Sequence, residues 1–219
     1  MAEELYVQRA ISISKSVKTK IHLTSISSHG SVEMIRAAKE KGILISADVT
    51  PHHLSLNEDC ITEFNPNFKM SPPIREEIDR NALVEGLLDG TIDCVSTAHE
   101  PFQEHEKNME YDLSPPGVIG LETALSACYQ NLKGCKEFSW LKLIDSMSYN
   151  AAKILEINSG TLSVGTSADI VIFDPELKWK YNNKNRLSLA ANTPFENREF
   201  KGKVEKTFVD GKLAFGTLD

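Results

Sequence analysis

Apolar and polar positions alternate along this chain with two distinct periods, and the period changes once. Over residues 3–16, Leu5, Val7, Ala10, Ile11 and Ile13 recur at helical spacing, which predicts an amphipathic helix. The stretch KIHLTSI that follows predicts a strand. SVEMIRAAKEKG predicts a helix with Ser31 as N-cap, Glu33 in its first turn and a stop at Gly42. ILISADVT is an apolar, β-branched run of buried-strand type. NEDCITEFNPNFKMSPPI predicts a polar loop with a short helix, ended by a Pro-Pro stop. REEIDRNALVEGLLDGTIDCVSTA then gives another helix, a glycine stop and a strand. Repeated βα units predict a parallel sheet with helices outside, either doubly wound or barrelled.

After Ile157 the pattern shifts to β-branched and aromatic segments separated by glycine turns: GTLSVGTSADIVIFD, KWKYNNK and GKVEKTFVDGKLAFG. Asp210-Gly211 is a hairpin signal, and NRLSLAANTPFENREFKG reads as a long loop between strands. The expected organisation is an α/β region over residues 1–157 and a small β region over residues 158–219.

Composition narrows the classes. The chain has 219 residues, 41% of them hydrophobic, enough for a packed core. Its net charge of -7 is spread without a basic stripe, which argues against nucleic acid or an anionic membrane surface as partner. No apolar run approaches the ~20 residues of a membrane span, and MAEELYVQRA lacks the character of a signal peptide, so the expected location is cytoplasmic. Cys60, Cys94, Cys128 and Cys135 form no CxxC pair and read as reduced thiols, mostly in the core.

Several motifs, in order and at matching spacing, carry a family resemblance: DVTPHHLSL, KMSPPIREEIDRNALVEGLLDGTIDCVSTAHEPF, PPGVIGLETAL, YNAAKILEI, GTLSVGTSADIVIFDP and NTPFENREFKGKVEKTFVDGK. Together they span nearly the whole chain, which resembles the C-terminal half of the dihydroorotases of the amidohydrolase superfamily. PHH followed by KMSPP is closer to dihydroorotases than to the hydantoinase or allantoinase branches. The resemblance implies half of a (β/α)8 barrel, with KIHLTS as strand five, LISADVT as strand six, the FKMSPP region as strand seven and DCVSTA as strand eight. A β-rich C-terminal segment of a composite sandwich follows. The family's first-strand His-x-His pair, its carboxylated lysine and its substrate-gripping arginine lie in the other half.

The same resemblance locates the chemistry. In the family the eighth strand ends in Asp-His-Ala-Pro-His, where the Asp binds metal and moves a proton and the last His helps hold substrate. This chain has Ala98 at the Asp position and Phe102 at the His position. A methyl group offers a metal no lone pair and does not titrate. On the fifth strand the family's second His is a metal ligand, and here the position holds Ser25, whose neutral hydroxyl is a poor zinc ligand. His52, first of the pair in TPHHL, still matches a family ligand, and one imidazole cannot hold a binuclear zinc centre. Gly117 and Gly120 stand where the family brings backbone groups near the substrate ring.

Each surviving residue also has a plain structural reading. His52 and His22 suit hydrogen-bonded positions on strands or at their ends, and His99 is not the family's main ligand. Glu100 and Glu104 are the acids nearest the lost carboxylate, in a charged stretch, QEHEKNMEYD, patterned like a solvated loop. The implied reading is a dihydroorotase-family chain of pyrimidine biosynthesis that is non-catalytic as written, with no catalytic residue and no cofactor of its own. The family reaction is reversible closure of N-carbamoyl-L-aspartate to dihydroorotate by zinc. The implied role is structural partner of aspartate transcarbamoylase; the alternative is an active zinc-dependent dihydroorotase represented by a partial chain. Open strand edges imply pairing with a missing N-terminal half or self-association, with Leu23 and Val95 expected on an exposed inner face.

Overall fold

The computed structural model describes residues 1–217. Helix α1 (Ala2–Val17) leads into strand β1 (Ile21–Leu23), helix α2 (His29–Glu40) and strand β2 (Ile45–Val49). Helix α3 (Pro51–Ser55) follows directly, then an irregular segment, helix α4 (Glu77–Asp89) and strand β3 (Cys94–Val95). Helices α5 (Glu104–Lys107), α6 (Ala124–Leu132), α7 (Trp140–Ile144) and α8 (Asn150–Ile154) complete this part, with a π-helical turn over Asp145–Tyr149 joining the last two. The chain then forms β4 (Ile170–Lys180), β5 (Glu199–Val209) and β6 (Lys212–Phe215).

The predicted N-cap of α2 shifts by one polar residue cluster. Ser28, not Ser31, caps the helix: its side chain accepts from the Ser31 N–H while its backbone is extended. The serine-rich run offers several candidate caps, and extended φ/ψ at Ser28 selects among them. Glu3 of α1 ties the same loop down by accepting from the Ser27 and Ser28 N–H groups, 3.0 Å each, and it pairs with Arg75 at 3.2 Å. Burial pushes the Glu3 carboxyl upward, but the hydrogen bonds from Ser27, Ser31 and Ser28 outweigh it and hold the group below its usual range.

Strands β1, β2 and β3 form a parallel sheet in that order, with Ile21 opposite Ile45, and Asp48 opposite Cys94. β2 therefore pairs directly with β3, and the FKMSPP region is not the strand seven that the family pattern implied. Pro66, Pro72 and Pro73 have no N–H to give a ladder, and the Lys69 carbonyl instead accepts from Gly117 N at 2.9 Å. Side chains alternate across the sheet. Ile45, Ala47 and Val49 point to the helix side and join a core with Val32, Ile35, Leu83 and Leu87; Ile21, Leu23 and Val95 pack partly against it. The opposite face carries His22, Ser46, Asp48 and Cys94. Leu23 and Val95 are thus not the inner face: a period-two strand that buries Ile21 toward the helices must send His22 the other way.

The second sheet is antiparallel, in the order β4-β5-β6. Asp210 and Gly211 both have positive φ, 50° and 72°, as a two-residue hairpin turn needs. α6 packs on β5, and Tyr181, Phe195 and Phe200 form a smaller core beneath them. All four cysteines are free; Cys94 and Cys128 are buried, Cys60 and Cys135 half-buried. Burial, with Asp48 and Asp93 nearby, pushes the Cys94 thiol up to about 12, so it is not a nucleophile at neutral pH.

Ile35, fully buried on α2, is a direct probe of the helix-to-sheet core. Ile35→Ala should lower unfolding free energy by about 3 kcal/mol in urea titration. Leu5→Ala, at a side chain left mostly in water, should change it by less than about 0.5 kcal/mol.

Candidate functional site

The C-terminal ends of the three parallel strands gather the residues that the family pattern singles out. Ser25 lies just beyond β1, His52 in the first turn of α3 beyond β2, and Ala98 beyond β3. Ser25 and Ala98 both adopt the left-handed region, with φ of 55° and 44°. For a residue with a β-carbon that conformation costs roughly 1–2 kcal/mol, so both positions keep a strained backbone without a ligating or titrating side chain.

Ser25 is held by its main chain. Its N–H donates to Asp48 Oδ1 at 2.8 Å, and Asp48 Oδ2 lies 3.0 Å from His22 Nε2. The His22 Nδ1 is 2.8 Å from Ser46 Oγ. Since the carboxylate can only accept, the ring carries its proton on Nε2 when neutral, and Nδ1 accepts from the Ser46 hydroxyl. His22 therefore has the structural role, bracing Asp48.

His52 is almost completely buried, stacked on Phe195 with ring centroids 5.4 Å apart. Its Nε2 faces the Ile119 carbonyl at 3.3 Å and must be the donor there, so that nitrogen has no lone pair free for a metal. Burial, together with His53, pulls the His52 pKa down to about 4. His53 Nε2 likewise donates to the Pro72 carbonyl at 3.0 Å. His99 uses Nδ1 to accept from Gly120 N at 3.1 Å.

Gly117 and Gly120 are required by close approach. A β-carbon on Gly120 would sit 2.7 Å from His52 Cε1 and 2.8 Å from the Thr97 carbonyl. One on Gly117, where φ is 135°, would collide with the Glu100 carboxylate and sit 2.6 Å from the Phe102 ring. Glu100 and Phe102 thus fold over Gly117, filling the space beside it. The cavity left among Thr50, His52, His53, Ala98 and Glu100 is about 10 Å³, room for a single water.

The loop carrying Glu104 is less solvated than its composition suggests. Gln103 and Glu106 form a capping box that starts α5, and Lys107 turns inward, donating to the Pro115 and Gly117 carbonyls at 2.9 and 3.1 Å. Its burial, helped by Lys69, lowers its pKa to about 8. Asn192, buried and missed from sequence, donates to the Glu100 and Gly117 carbonyls and accepts from Phe102 N. Its place within NTPFENREF was the available signal.

Zinc needs three or more converging donors. Among the described residues no three His, Cys, Asp or Glu side chains converge in that way. With the His52 Nε2 proton committed to Ile119, the residues present do not fit the metal centre that the family implies. No helix among the described residues is long and apolar enough to cross a membrane.

A family model described as the amidohydrolase family matches residues 3–214. The dihydroorotase of Elusimicrobium minutum is 42% identical over 97% of this chain and 50% of its own length. That of Endomicrobium trichonymphae is 40% identical over 98% and 51%. The chain spans about half the length of the curated relatives it matches. Among solved structures, L-hydantoinase from Arthrobacter aurescens superposes with a TM-score of 0.91 at 26% identity, over 99% of this chain and 49% of the other. Dihydropyrimidinase from Brevibacillus agri gives 0.90 at 22% identity, over 97% and 48%, a likeness of fold.

Two outcomes follow from this geometry. The His52 pKa is lower folded than unfolded, so between pH 6.5 and about 4 the unfolded chain binds more protons. Stability should be full above that window and fall by about 3 kcal/mol as pH drops through it, with a shallower decline in His52→Leu, read by urea titration at each pH. Ala98→Gly, relieving the left-handed strain, should raise stability by about 1 kcal/mol; an unchanged or lowered midpoint would contradict that strain.

Proposed function

The chain belongs to the amidohydrolase family and corresponds to the C-terminal half of its dihydroorotase members, and from that premise we propose that it is a non-catalytic dihydroorotase-like polypeptide. The observation that carries this reading is the state of the strand ends. Position 25 offers a hydroxyl, position 98 a methyl, and the one retained imidazole spends its Nε2 proton on a backbone carbonyl inside a cavity of about 10 Å³.

Hydrolysis or closure of a cyclic amide needs a polarised carbonyl, a nucleophile and a group that moves a proton. Among the residues brought together here, Ala98 and Phe102 supply none of these. His52, held neutral by burial, already donates elsewhere. Glu100 closes over Gly117 rather than joining a donor set. What the site retains is shape: the glycine approaches, the Asn192 bridge and the strained turns.

A shape retained without its donors suits a structural role. In this reading the chain serves pyrimidine biosynthesis as an assembly partner of aspartate transcarbamoylase in the cytoplasm. Co-expression of the two should give one co-eluting complex; separate elution at all ratios would remove the partner from the proposal.

The catalytic side has its own measurement. Purified, zinc-replete protein should bind less than one tight zinc per chain and show neither ring opening of dihydroorotate nor ring closure of N-carbamoyl-L-aspartate. Ala98→Asp alone should not restore turnover, because at least two other positions also differ. Turnover abolished by His52→Ala would overturn the reading in favour of an active zinc enzyme.

A further inference from the structure

Of residues 103–116, which join the turn after β3 to Gly117, Lys107 and Ser114 alone are buried. The larger apolar side chains of the segment, Met109 and Leu113, are exposed. A loop is ordinarily pinned by apolar contacts, and this one is pinned by an amine. The Lys107 ammonium donates to the Pro115 and Gly117 carbonyls at 2.9 and 3.1 Å and lies 5.7 Å from the centroid of the Phe102 ring. It thereby ties α5 to both ends of the segment. A second clamp comes from Lys69, which donates to the Tyr111 and Asp112 carbonyls at 2.7 and 2.9 Å. Glu100 and Gly117, just outside the segment on either side, line the single-water cavity beside His52.

We infer that residues 103–116 form a strap latched beside the strand-end cavity by the Lys107 amine, and that the strap opens more readily near neutral pH than in alkaline solution. The closed strap holds a charge out of water, and opening returns that charge to solvent. Closure therefore bears a cost that the open form does not. The charged groups facing the amine are Lys69, which repels it, and Glu100, which attracts it. On its own helix, Glu106 is turned back to the Gln103 N–H, and Glu104 and His105 are exposed. Burial, helped by Lys69, prevails over Glu100 and sets the Lys107 pKa at about 8 in the closed strap, against 10.5 for a free lysine. Between those values the open form binds more protons, so rising pH favours closure. The neutral amine keeps hydrogens to donate to both carbonyls.

The inference goes beyond the non-catalytic reading and does not need it. Subtilisin cleavage of the full chain at about pH 7.5 and about pH 9.5 tests it, with cuts located by mass spectrometry and each rate divided by that of a free peptide of residues 101–118 at the same pH. When opening and closing outpace cleavage, this ratio follows the open population. Within residues 103–116 the ratio should fall at least about tenfold from the lower pH to the higher, as release of one proton requires. Lys107→Met, which removes the donor, should raise the ratio and abolish its pH dependence. Lys107→Arg, charged throughout the range, should abolish the dependence as well. A smaller fall, no cleavage within the segment, or a fall that persists in either variant would overturn the strap. Turnover in a ring-opening assay would sink the non-catalytic reading and leave the strap standing.

Discussion

The carboxylate of Asp48 accepts from the Ser25 N–H and from the His22 ring, and the carbonyl of the same residue accepts from Ile26 N at 2.9 Å. Three bonds from one strand residue fix the path of the chain as it leaves β1. That path decides where Ser27 and Ser28 stand, hence where α2 starts and where Glu3 of α1 can reach them. Asp48 is buried, so the partners it has are obligatory: removing any one would leave an acceptor without a donor at a cost of about 1–3 kcal/mol. The strand ends are therefore organised by one buried carboxylate and its own backbone carbonyl.

The form of the strand ends therefore does not rest on the side chains at positions 25 and 98. The turn at position 25 is held through a backbone N–H that any residue but proline supplies. The turn at position 98 is followed by a short parallel bridge from His99 to Val118, with Glu100 N donating to Val118 at 2.9 Å. Neither bond uses a side chain at the position once expected to ligate. Exchange of those side chains leaves the scaffold untouched, whereas a β-carbon on Gly117 or Gly120 would collide with Glu100, Phe102 or His52.

Much of this was legible in the sequence because it depends on local rules. The α1, α2 and α4 helices, the Asp210-Gly211 hairpin and the parallel strands follow from periodicity and turn residues. That positions 25, 98 and 102 carry a hydroxyl, a methyl and an aromatic ring is read from residue type alone. What was illegible depends on partners distant in the chain. Leu23 and Val95 look like the natural lining of a barrel, yet the face each takes is set by strand register against β2. Lys107 sits among charged neighbours and reads as solvated, until the Pro115 and Gly117 carbonyls, 8 and 10 residues on, are seen to draw it in. FKMSPP reads as a strand by family pattern, but its prolines cannot sustain a ladder.

The burial of His52 shows what an imidazole at this strand end would have to give up to bind a metal. An imidazole that binds metal must present a bare nitrogen to an open, polar space. Here Phe195 covers one ring face, the Ile119 carbonyl takes the Nε2 proton, and burial holds the ring neutral far below its usual pKa. Freeing that nitrogen would mean breaking its bond to Ile119, and a metal beside it would need a larger space than the single-water cavity provides. Those costs fall before any zinc bond forms. In the structure His52 belongs to the packing that joins α3 to the loop before β5, through its hydrogen bond to Ile119 and its flat ring on Phe195.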